Sequence, residues 1–149
     1  MPLAPAPAGP DAPLVLSQEE IALLAGLPVE KDAIFEFVAP LMPELAYVDE
    51  KAGRPCMARA TLMVDRRTEF IFATELAHGA KPLAEGARPS LVRGLKLAGM
   101  RPRAIHVPKE SLAQVLGPAC APIGVPVIVD ERLDAAYQAL DFLIQRFQR

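Results

Sequence analysis

The chain has 149 residues, of which 52% are hydrophobic and 23% charged, with a formal net charge of −2. That length fits one ordinary domain with its own core, and that balance excludes an intrinsically disordered chain. The apolar runs are too short to span a bilayer, so no membrane partner is expected.

The charge is unevenly spread. Residues 1–50 carry nine acids and one base, whereas Arg88 to Lys109 hold six bases (Arg88, Arg93, Lys96, Arg101, Arg103, Lys109) and no acid. Such a segment is read first as solvated helix faces and loop ends, and second as a basic face for nucleic acid or another polyanion. Cys56 and Cys120 lie far apart and in no metal-ligand spacing. They are read as two buried thiols of a reducing cytoplasm in preference to a disulfide. With only His78 and His106 besides, no metal site is expected.

Taken in order, Met1 to Pro13 is rich in Pro and Ala, lacks the basic start of a secretory signal, and reads with the next residues as a disordered tail over 1–16. Ser17 and Glu20 have capping-box spacing and predict a helix that ends at Gly26 and Pro28. Ile34, Phe35, Val38 and Leu41 at helical spacing predict a second helix over Lys31–Leu41. Together these make a helical cap over 17–44, packed on an α/β domain over 45–149.

Strand signals follow at Leu45–Val48, Met57–Val64 and Glu69–Leu76, the last two forming a hairpin through Asp65-Arg66-Arg67. Ala77–Ala87 reads as a long irregular loop. Pro89 suits the first turn of a helix that ends at Gly99. Two short β-branched strands, Arg103–Val107 and Val125–Val129, then alternate with helices, which points to buried parallel strands. Between them Ser111 and Gln114 have capping-box spacing, and Gly117-Pro118 predicts a bend or a break. Leu133, Tyr137, Leu140, Ile144 and Phe147 mark a final helix.

Three short antiparallel strands followed by α-β-α-β-α resemble the ribonuclease-H-like fold of integrase cores and many nucleases. The phrase Gly99-Met100-Arg101-Pro102 before the strand Arg103–Val107 is similar to integrase-core segments. The C-terminal part also resembles a bacterial domain family of unknown function. The nuclease resemblance implies clustered carboxylates that hold two metal ions. Here the strand Arg103–Val107 ends in Pro108-Lys109, the helix after Pro89 has bases only, and Asp49, Asp65, Asp130, Asp134 and Asp141 are scattered.

Other chemistry is equally bare. Ser17, Ser90 and Ser111 sit where capping explains them, no phosphate-loop or nucleophile motif occurs, and His106 reads as a satisfied strand histidine. The expectation is therefore a non-catalytic cytoplasmic interaction or accessory domain, with no catalytic residue, no cofactor, and a protein partner or second copy. Nucleic-acid binding through residues 88–109 is the alternative. Less favoured are a metal-dependent nuclease and a small-molecule enzyme with Pro108, Lys109, Asp130 and Glu131 on its rim.

Overall fold

The computed structural model describes residues 12–49, 54–79 and 81–147. It shows a mixed α/β fold organised on a curled six-stranded sheet. The longest strand, β3 (Arg54–Asp65), is the spine of the antiparallel half. β4 (Ile71–His78) runs along one side of it. On the other side β1 (Val29–Val38) pairs with its C-terminal half and β2 (Leu41–Asp49) with its N-terminal half. Ala39 and Pro40 separate these two strands, and the Pro40 carbonyl accepts from the Ala60 N–H (3.0 Å). β1 is also the hinge to the parallel half, pairing with β5 (Arg101–Val107), which pairs in turn with β6 (Val127–Val129).

Helices cover both faces. α1 (Gln18–Ala25), α2 (Leu83–Ala98) and α3 (Glu110–Cys120) lie on one, over a core that includes Phe35, Phe37, Leu91, Leu95, Ile105, Val107 and Leu116. α4 (Asp134–Phe147) lies on the other, where Ala136 and Leu140 meet Val38, Leu62 and Val64. Apolar residues of both parities are therefore buried at the C-terminal end of β1, as in a strand covered on both faces.

Several expectations change. Lys31–Leu41 is no helix: β1 occupies most of it, because a doubly covered strand buries consecutive residues and so imitates helical spacing. The helical cap thus reduces to α1, whose Ser17–Glu20 capping box forms as expected (2.9 and 3.1 Å). Leu14 and Leu16, placed in the tail, are core residues, and the Leu14 N–H donates to the Val115 carbonyl (3.0 Å). Residues 1–11 and the turn at Gly53 lie outside the described residues, as does the Cys56 side chain.

α2 starts at Leu83 and shortens the loop expected before it, so Pro89 sits inside the helix and forgoes one backbone bond there. Ser90 then faces inward, with its hydroxyl 2.5 Å from that of Thr61, both side chains fully buried; it caps nothing. α3 runs through Gly117-Pro118 to Cys120, and a short 3-10 turn (Ala121–Ile123) follows. The Ser111–Gln114 box does not form; Lys109 is the N-cap and makes no side-chain capping bond. β6 has only three residues and ends the sheet, leaving Ile128 and Val129 exposed where a buried strand was expected. Gly99 does close α2 in the left-handed conformation (φ 68°), as expected.

Candidate functional site

Two polar features stand at the junction of the parallel and antiparallel halves. The first lies on the α4 face. Glu36 of β1 and His106 of β5 are register partners, and Asp130 follows β6. Arg66, just past β3, reaches into the space between them. Its Nε donates to Glu36 Oε2 (2.7 Å) and its Nη2 to Asp130 Oδ2 (2.9 Å). His106 Nδ1 lies 3.0 Å from the same Asp130 oxygen and 3.0 Å from Arg66 Nη2. The carboxylate oxygen accepts from Arg66, and His106 Nδ1 lies within hydrogen-bond distance of both partners.

Every carboxylate oxygen in this cluster is committed. Glu36 Oε1 accepts the Ala136 N–H in the first turn of α4 (2.9 Å), so a fully buried acid caps a helix that follows it by 100 residues. Asp130 Oδ1 accepts the Arg132 N–H (2.9 Å). That backbone bond first, then the bonds from His106 and Arg66, pulls the Asp130 carboxyl down to about 2. At Arg66, burial is the largest single influence and opposes the charge. The bonds to Glu36 and Asp130 together outweigh it, and the guanidinium is raised above its ordinary value.

The second feature is a cavity of about 420 Å³ at the C-terminal ends of β1 and β5. Arg59, Lys109, Ser111 and Tyr137 supply its polar lining, and the first turns of α2 and α3 enter it at Leu83 and Leu112. Arg59 Nη1 donates to the Ala39 carbonyl (2.5 Å). Its Nε is buried and has no hydrogen-bond partner among the described residues. Burial therefore lowers the guanidinium below its ordinary value, the opposite outcome to Arg66.

The six expected basic residues are not used alike. Arg88 is tied to Glu20 and to the Val15 carbonyl, and Arg93 to Glu75. Arg101 donates to the Leu27 and Ile123 carbonyls (2.7 and 2.8 Å). Lys96 and Arg103 are exposed, and Lys109 lines the cavity.

Of the scattered acids whose side chains are described, only Asp130 joins the cluster on the α4 face; the buried Asp65 instead accepts the Arg67 N–H (2.9 Å), and the Asp49 side chain lies outside the described residues. Among the described residues no three His, Cys, Asp or Glu side chains gather to hold a metal ion. Sequence reasoning missed Glu36, Arg59 and Arg66. A charged residue inside the Phe35-Glu36-Phe37 run was the available signal for the first. The two arginines find partners only through the fold.

A family model described as a domain of unknown function, DUF6930, matches residues 20–144, and the chain belongs to that family. No curated protein and no solved structure matches it.

Proposed function

We propose that this DUF6930 member is a non-catalytic accessory module on a ribonuclease-H-like scaffold, acting in the cytoplasm through a protein partner or a second copy of itself. The strand order β4-β3-β1-β5-β6, antiparallel first and then parallel through α2 and α3, supports the scaffold reading. One observation carries the rest: the Arg66 guanidinium occupies the space between Glu36, His106 and Asp130. Two-metal hydrolysis needs free carboxylate oxygens there, and a fixed cation repels the ions.

An interaction role is supported by the short terminal strand β6, whose Ile128 and Val129 are 45% and 40% exposed. A sheet end of this kind accepts a strand from another chain. Nucleic-acid binding through residues 88–109 is less supported, since Arg88, Arg93 and Arg101 are committed within the chain.

Incubation of the purified protein with single- and double-stranded DNA and RNA in magnesium or manganese tests the reading. The expected outcome is no hydrolysis above buffer and no metal-dependent rise in melting temperature. Hydrolysis that disappears in Asp130→Asn overturns it. Static light scattering reads the second-copy alternative as a doubled mass, which Ile128→Asp is expected to reverse.

A further inference from the structure

The cavity beside the Arg66 cluster gathers positive charge with no described acid in its lining. α3 begins at Lys109, an extended N-cap (φ −155°, ψ 160°) with no side-chain capping bond, and α2 begins at Pro82, likewise uncapped. Helix N-termini carry unsatisfied N–H groups and partial positive charge, so a lysine there is placed against the dipole. Arg59 adds a second cation whose buried Nε has no partner among the described residues, and none of the described acids lines the cavity. Glu85 and Glu110 lie in the two first turns but outside the lining. The contrast with α4 is direct: there Glu36 supplies the missing anion from within the chain.

We propose that this cavity binds a small molecule bearing a phosphomonoester. Two side-chain cations and two helix N-termini without side-chain caps match a dianion, and a guanidinium beside backbone N–H groups is a common phosphate cradle. The Ser111 hydroxyl adds a further donor, and Val38 and Leu112 give the cavity an apolar wall. A volume of about 420 Å³ leaves room for a body of one or two rings beside the phosphate, with Tyr137 at the wall. The site is independent of the accessory reading, because binding requires no chemistry at the Arg66 cluster.

Calorimetric titration of the full chain with phenyl phosphate, at constant ionic strength set with sodium chloride, is the test. One site per chain is expected, with phenol not binding and inorganic phosphate binding more weakly than phenyl phosphate. Lys109→Ala removes an exposed side chain and leaves the core intact; it is expected to weaken binding about tenfold. Arg59→Lys keeps the charge but not the fork and is expected to weaken binding by a similar factor. Equal affinity in wild type and Lys109→Ala overturns the proposal. So does a phosphodiester probe, diphenyl phosphate, that binds as tightly as the monoester, since it would point to a single-charge or polymer-backbone site.

Discussion

Arg66 joins three groups that the chain keeps 30, 40 and 64 residues away from it. Its partners define how this region answers to acid. The Asp130 carboxyl is held at about 2 against an ordinary 3.8. Between those values the unfolded chain binds the extra proton, so stability is fully present above about pH 4 and falls as pH drops toward 2. Asp130→Asn is expected to flatten that stretch of the stability curve, read by urea denaturation at stepped pH; an unchanged slope contradicts the assignment. Cys120 shows the opposite influence, because burial alone pushes its thiol to about 12. At pH 8 the native protein is expected to leave Cys120 unalkylated by iodoacetamide, with modification of its peptide appearing only as denaturant unfolds the chain.

At the scale of elements, two substitutions separate what folds the chain from what the cavity uses. Leu16 is buried in the core from a position just before α1. Leu16→Ala is expected to cost about 3 kcal/mol, measured as a shift in the urea midpoint with unchanged m-value. Lys109→Ser is expected to do the reverse. Serine suits an N-cap with extended φ and ψ and should add about 1 kcal/mol in thermal unfolding without phosphate, while giving up affinity for phenyl phosphate.

Elements with local signals were legible: α1 from its capping box, the end of α2 from Gly99, and the β3–β4 hairpin from its short connection. β1 was not, because burial from both faces erased its period of two and left Ile34, Phe35 and Val38 at helical spacing. That single misreading also hid Glu36, and with it the reason Arg66 and His106 matter. Lys109 was legible as one base of the 88–109 segment and as a rim residue, but not as a helix N-cap. Its position at an uncapped helix start depends on where α3 begins, and the Ser111–Gln114 spacing pointed to a start two residues later.

Across the whole molecule, the sheet is joined by one strand. β1 pairs with β3 on one side and β5 on the other, so the antiparallel and parallel halves share no other described pairing. Both polar features lie along this seam. The Arg66 cluster ties the end of β3 to β5 and to the segment after β6, and the cavity opens where β1 and β5 end. A disturbance at the seam therefore reaches both halves, whereas one at β4 or β6 touches a single margin.

The central place of β1 has a consequence for how the chain is made. Its antiparallel partner follows within a few dozen residues, but the contact of Phe35 with Ile105 waits for β5 to be synthesised. Until then the innermost strand of the finished protein is an exposed edge on a growing chain, open to pairing with other nascent molecules. Glu36 sits near the C-terminal end of that edge. A carboxylate there is tolerable once Arg66 and α4 enclose it, and unfavourable against an unrelated apolar strand. The residue that later anchors the seam thus guards it first, during the interval when the strand has only one neighbour.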